Sequence, residues 1–126
     1  MKFSSTRIVT SDVPLLAKFY EKITGIVPVG NEDFVQLETA GGILAISSIH
    51  AMERYLPGVG SPAANRSVIL EFQVDDVDVE RSRLESIVQN WVMEPKNQPW
   101  GNRSMVFRDP DGNLINFYAP ITGGKQ

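Results

Sequence analysis

The chain has no cysteine and a single histidine, His50. Disulfides, thiolate metal sites and a cysteine nucleophile are therefore excluded. A Ser-His-Asp arrangement would have to use His50, and the sequence places no strand-end nucleophile beside it. Nucleophile-elbow, Gly-x-Gly-x-x-Gly and P-loop patterns are absent as well. No apolar run is long enough to cross a bilayer. The start, MKFSSTRIVT, lacks the apolar core of a secretory signal, so the cytoplasm is the expected location. Basic clusters are missing and the net charge is -3, which leaves no footprint for nucleic acid, whose binding rests on Lys and Arg neutralising phosphates. What remains is the composition of one globular domain: 126 residues, 42% hydrophobic, enough to bury a core without covalent staples. Only the short polar end, TGGKQ, departs from it.

Between Ser11 and Gly25, SDVPLLAKFYEKITG offers a polar cap at Ser11 or Asp12, Pro14 in a first turn, and apolar residues at Leu15, Leu16, Phe19 and Ile23. This is the spacing of a helix laying one face on a core, with Lys18 and Glu21 left to solvent and Gly25 as the stop. STRIVT before it is extended, and FVQLET and ILAISS after it alternate around Ala40-Gly41-Gly42 as a hairpin does. The second half repeats the order: SVILEFQV extended, DDVDVERSRLESIV helical from an Asp cap, then WVMEP, RSMVFRD and NLINFYA extended. Setting Asp12 on Asp76 pairs Val13 with Val77, Tyr20 with Leu84 and Ile23 with Ile87. Setting Gly41 on Gly112 pairs Ile43-Leu44 with Leu114-Ile115. The chain reads as two copies of one unit, about residues 1–49 and 66–120, joined by a Pro-, Gly- and Ala-rich loop over 50–65.

The stretch MVFRDPDGNLINFYAP places two acids around a turn and so invites comparison with a Ca²⁺ loop. With Gly112 at the sixth position of an EF-hand loop, the first and twelfth positions are Phe107 and Tyr118, which do not chelate. Asp109-Pro110-Asp111-Gly112 is read instead as a hairpin turn with Gly112 in the left-handed conformation.

A βαβββ unit used twice, an SDV helix entry followed by FY, a VDDVD second entry, and FRDPDGNLINF near the end resemble the vicinal oxygen chelate superfamily, the glyoxalase, bleomycin resistance protein and dioxygenase family. The resemblance covers nearly the whole chain. It implies an α+β fold of two tandem βαβββ modules in one domain, whose curved mixed sheets enclose a cup, and it implies a homodimer. It says little about the reaction, because one scaffold hosts different chemistries. QPWGNRSMVFRDPDGN looks most like the branch that includes bleomycin-resistance proteins. Metalloenzymes of the family bind a divalent ion through His or Glu on the first and last strand of each unit. Carried over, those positions are Ser5, Ala45, Ile69 and Asn116. The register has internal support, since the same spacing separates Ser5 from Ile69 and Asp12 from Asp76. One Ser and one Asn do not make an O/N site for a divalent ion, so neither metal nor cofactor is expected there. A site assembled from Glu71, His50 and waters remains an alternative.

Strand alternation then sorts the side chains. Ile8, Thr10, Leu70, Phe72 and Val74 are expected to face the helices, as are Leu44, Ile46, Ile115 and Phe117. Arg7, Glu71 and Gln73 are left on the opposite side with Ala45, Ser47, Asn116 and Tyr118, and Trp100 stands at the rim. These eight are the candidate ligand-binding residues, a mixed surface suited to a small organic molecule. No catalytic residue is assigned. Arg7 and Glu71 are equivalent positions that either pair with each other or serve a ligand. Trp91 is expected in the core, and DDVDVE as a helix cap with a solvated first turn. The expected partner is a small organic ligand, sequestered as an antibiotic or toxin is. A divalent-metal-dependent lyase, isomerase or dioxygenase and a non-catalytic interaction domain remain the alternatives.

Overall fold

The computed structural model describes residues 1–121, so the polar end at 122–126 lies outside the described residues. The chain divides into two compact units, Met1–Asn65 and Arg66–Gln126.

The first unit runs β1 (Ser5–Thr10), α1 (Val13–Thr24), β2 (Val29–Gly30), β3 (Phe34–Thr39), β4 (Gly42–Ser48) and α2 (Ile49–Glu53). Its four strands form one sheet in the order β1-β4-β3-β2. β1 lies parallel to β4 and the other pairs are antiparallel. Asp12 caps α1, its carboxylate accepting from the Leu15 amide at 3.1 Å. Gly25 ends the helix in the left-handed conformation, its N–H donating to the Glu21 carbonyl at 2.8 Å. These satisfy orphan groups at both ends. Leu16, Phe19, Tyr20 and Ile23 of α1 are buried, as are Val35 and Leu37 of β3 and Leu44 and Ile46 of β4. Each such side chain contributes about 1.5–3 kcal/mol of burial. Leu15 does not belong to this stripe. It is 54% exposed, because at 3.6 residues per turn the stripe through Leu16, Phe19 and Ile23 is completed by Tyr20.

The second unit runs β5 (Ile69–Gln73), α3 (Val77–Arg83), β6 (Asn90–Asn97), β7 (Asn102–Arg108) and β8 (Leu114–Pro120). Its sheet has the order β5-β8-β7-β6, with β5 parallel to β8. The Asp76 carboxylate caps α3, accepting from the amides of Asp78 and Val79. α3 is shorter than its sequence suggests. It stops at Arg83, and Leu84 to Ile87 turn the chain toward β6, with the amides of Ile87 and Val88 both donating to the Leu84 carbonyl at 3.0 Å. Leu84 and Val88 are buried, so the apolar anchors of the expected helix are kept while its regular backbone is not.

The helix-side face of this sheet carries a row of aromatic rings crossing all four strands. Phe72 meets Phe117 at 5.7 Å between centroids, Phe117 meets Phe107 at 5.2 Å, and Phe107 meets Trp91 at 5.5 Å, all edge to face. Arg81 of α3 closes the row, its guanidinium 3.8 Å from the Trp91 ring centroid. Its other bonds go to Glu94 at 2.6 Å and to Glu85. Trp91 is thus half-buried under α3. Pro95 interrupts β6, which it can do because β6 is the sheet edge.

The two units repeat not only the order of elements but the register. Arg7 lies opposite Ala45 as Glu71 lies opposite Asn116, and Ser5 opposite Ile43 as Ile69 opposite Leu114. Between β7 and β8 the Asp-Pro-Asp-Gly stretch is a hairpin connection. Gly112 has φ 86°, and Asp109, 4% exposed, accepts from the amides of Asp111 and Asn113 at 2.9 Å and from the Asn113 side chain at 2.8 Å.

Two elements were not legible in advance. β2 is only two residues long, and α2 occupies the start of what reads as a connecting loop, with Ser48 as its cap.

Candidate functional site

In each unit the sheet has one face under a helix, and alternation sends the intervening residues to the other. In the first unit that other face carries Arg7 and Val9 from β1, Gln36 from β3, and Ala45 and Ser47 from β4. Arg7, Ala45 and Gln36 form one cross-strand row. Arg7 is exposed, whereas Ala45 and Ser47 are buried at 3% and 4%. The Arg7 guanidinium stands 5.8 Å from the Tyr55 ring centroid, which brings the segment after α2 over this face. Tyr55 is a candidate that sequence reasoning missed, since nothing in a Pro- and Gly-rich connector marks it. The Ser47 hydroxyl is buried and has no hydrogen-bond partner among the described residues.

In the second unit the corresponding face carries Ile69, Glu71 and Gln73 from β5, Leu114, Asn116 and Tyr118 from β8, and Val106 from β7. Asn116 donates through Nδ2 to Glu71 Oε2 at 2.9 Å, so Glu71 has a partner within its own unit. Asn116 Oδ1 is buried and accepts from nothing among the described residues. Gln73 lies opposite Tyr118 and is exposed. Trp100 belongs to neither row. It sits at the tip of the β6–β7 connection, where Gly101 donates back to the Gln98 carbonyl at 3.1 Å, and it is 71% exposed.

Charge elsewhere is used for fastening. The Ser48 hydroxyl donates to Asp33 Oδ1 at 2.8 Å, and Arg54 lies 3.6 Å from the same carboxylate. The Ser48 bond first, and Arg54 with it, hold the Asp33 carboxyl below the usual carboxylate range. Arg103 grips Asp78 with two bonds of 2.8 and 3.0 Å and lowers its pKa likewise. Arg81 does so for Glu94.

Tandem βαβββ units, each a mixed sheet with a helix on one face and a mixed polar and apolar surface on the other, define a class of protein. The chain belongs to the Glyoxalase/Bleomycin resistance protein/Dioxygenase superfamily, whose profile matches residues 2–117. Among solved structures it is similar to a glyoxalase/bleomycin resistance protein/dioxygenase from Nocardioides, at 21% identity over 98% of this chain and 86% of that one, with a TM-score of 0.79. It is also similar to a glyoxalase/bleomycin resistance protein/dioxygenase family enzyme from Burkholderia phytofirmans, at 19% identity over 94% and 98% with a TM-score of 0.84. A glyoxalase-related enzyme from Fulvimarina pelagi gives 21% identity over 98% and 94%, with a TM-score of 0.81. The likeness to these three is one of fold. No curated protein sequence matches the chain.

The metal that this fold holds in some members does not fit the residues present. Ser5 and Ala45 share the face of the first sheet opposite α1, and Ile69 and Asn116 that of the second opposite α3, but an alanine and an isoleucine donate nothing to an ion. Asn116 spends its amide on Glu71. His50 is exposed on α2. Among the described residues no three His, Cys, Asp or Glu side chains form a group suited to an ion. The donor set is wrong in kind, since a divalent ion at an O/N site needs several convergent imidazole or carboxylate groups. No helix among the described residues is long and apolar enough to cross a membrane.

Proposed function

We propose that the chain binds a small organic molecule on a sheet face opposite the helix of that unit, without a divalent ion, in the manner of sequestering an antibiotic or toxin, with residues 1–126 acting as one domain in the cytoplasm. Taken unit by unit, the candidate residues are Arg7, Ala45 and Ser47 in the first and Glu71, Gln73, Asn116 and Tyr118 in the second, with Trp100 as an exposed aromatic at a hairpin tip. The observation that carries this reading is that, of three buried side-chain oxygens without a hydrogen-bond partner among the described residues, Ser47 Oγ, Asp111 Oδ2 and Asn116 Oδ1, the first and last each lie on the face of their own sheet that its helix does not cover. Buried polar groups are almost always hydrogen-bonded, and a bound molecule supplies the missing partner. The surrounding mixture of apolar area and a few polar groups is that of a small-molecule site. A thermal-shift screen of the full chain against glycopeptide and aromatic antibiotics, glutathione adducts and divalent metals tests it. A specific organic ligand raises the melting temperature by mass action. A rise with metals alone, reversed by chelation, overturns the metal-free reading.

The chain is further proposed to work as a homodimer, since β1, β2, β5 and β6 end their sheets' hydrogen-bonded orders and edges of this kind are commonly covered by a partner. Light scattering at tens of micromolar, on the order expected for a stable interface, gives the dimer mass; a monomer counts against it.

A further inference from the structure

We infer that the face of the second sheet opposite α3 is a subsite for a protonated amine, an assignment that rests on the ligand-binding reading above and names the chemical class of the group bound. Asn116 and Glu71 face each other in register on β8 and β5. An ionised carboxylate only accepts hydrogen bonds, so the Asn116 amide must turn its NH₂ toward Glu71, as the 2.9 Å bond records. That choice fixes what is left over. Oδ1 is buried and has no donor among the described residues. Glu71 gains one neutral hydrogen bond from Asn116 and, among the described residues of its own unit, pairs with no cation. Two acceptor groups therefore adjoin, the exposed Glu71 carboxylate and an amide oxygen that has no donor among the described residues.

The missing group is defined by that arrangement. A neutral hydroxyl or a water satisfies Oδ1 but leaves the carboxylate charge uncompensated. A carboxylate or phosphate repels it. An ammonium group has three N–H donors and no acceptor, so it can bond Oδ1 and the exposed Glu71 carboxylate together, and bonds to ionised groups are roughly twice as strong as neutral ones. A divalent cation asks for more oxygen ligands than one carboxylate and one amide provide. Tyr118, the next residue outward from Asn116 on the same face of β8, and Val106, opposite Asn116 on β7, give aromatic and apolar surface for the body of the molecule that carries the amine. The aromatic face also favours a nearby cation.

The test uses the full chain and three probes on one indole scaffold: tryptamine, its hydroxyl counterpart tryptophol, and indole-3-acetate. Binding is followed by NMR at the Asn116 side-chain amide and the β8 backbone amides. Tryptamine is expected to bind at least about tenfold more tightly than tryptophol, a difference of about 1.4 kcal/mol, and indole-3-acetate more weakly than either. Glu71→Gln brings tryptamine down to the affinity of tryptophol and leaves tryptophol unchanged. Asn116→Leu also removes the preference for the amine while the protein stays folded, because the partner it leaves, the Glu71 carboxylate, is exposed and takes up water in place of the lost bond. A purely structural role for Asn116, holding Glu71 in place, would show as a fall in unfolding temperature with the preference intact, and overturns the inference. Equal binding of tryptophol and tryptamine overturns it too, while leaving a ligand-binding face in place. If none of the three probes shifts β8, the ligand-binding reading of this face falls with it.

Discussion

Asp109 is a carboxylate at 4% exposure, and its hydrogen bonds explain why it is tolerated there. Three donors converge on it, the amides of Asp111 and Asn113 and the Asn113 side chain, while its own amide donates to the Asn113 carbonyl at 3.0 Å. The pattern ties both ends of the β7–β8 connection together. Asp109→Ala strands the donors and is expected to lower unfolding free energy in urea by about 2–3 kcal/mol, the scale of hydrogen bonds to a charged group. Gly112 acts through the backbone instead. Its φ of 86° is costly for any residue with a Cβ, although a Cβ there meets nothing within 4 Å. Gly112→Ala is therefore expected to cost about 1–2 kcal/mol without altering binding on the sheet. A loss well beyond that in either variant, or none, contradicts the division of labour. The type of turn was legible from Pro110 and Gly112; the burial of Asp109 was not, since it depends on what packs over the turn.

At the scale of elements, what was legible is what periodicity reports. Strand alternation sorts Leu44 and Ile46 from Ala45 and Ser47, and Ile115 and Phe117 from Asn116, because a period of two leaves no other face. The Asp12 and Asp76 caps announce their helices for a similar local reason. α2 was not legible, because it is held by a contact distant in sequence: the Ser48 hydroxyl that caps it also donates to Asp33. The early end of α3 is likewise set by the need to enter β6 at Asn90, which no local propensity encodes. The hydrogen-bonding state of the site was hidden for the same reason, since neither the Asn116–Glu71 bond nor the stranded Ser47 hydroxyl follows from residue type. The aromatic row across the second sheet yields a test at this scale. Phe107 touches rings on both sides and is fully buried, so Phe107→Ala is expected to cost about 3–5 kcal/mol. Arg81→Gln, which uncovers one face of Trp91, is expected to cost only about 0.5–1 kcal/mol. Denaturant midpoints decide the order, and equal effects would sink the view that ring packing, rather than the cation at its end, holds the sheet to α3.

For the molecule as a whole, net charge is modestly negative at -3, yet three carboxylates in different places share one electrostatic character. Asp33 in the first unit, and Asp78 and Glu94 in the second, each titrate below their usual range, because of the Ser48 hydroxyl, Arg103 and Arg81 respectively. In the unfolded chain these partners are lost and the carboxyls return to ordinary values near about 4. Between the folded and unfolded values the unfolded chain therefore holds more protons than the folded one, and stability rises with pH across that window. The contribution is complete above the unfolded values and disappears as pH falls through the folded ones. All three groups are solvent-exposed, so each effect is screened and individually small. Chemical denaturation from pH 2 to 7 is expected to show stability climbing through the acidic range and then levelling. The triple variant Asp33→Asn, Asp78→Asn, Glu94→Gln is expected to show a shallower climb, and high salt should flatten the wild-type curve toward it, because the Debye length falls to about 3 Å at 1 M. A triple variant with the full wild-type slope would mean that other carboxylates carry the acid sensitivity. If salt also left that slope unchanged, the groups responsible would have to be shielded from solvent, unlike any of the three.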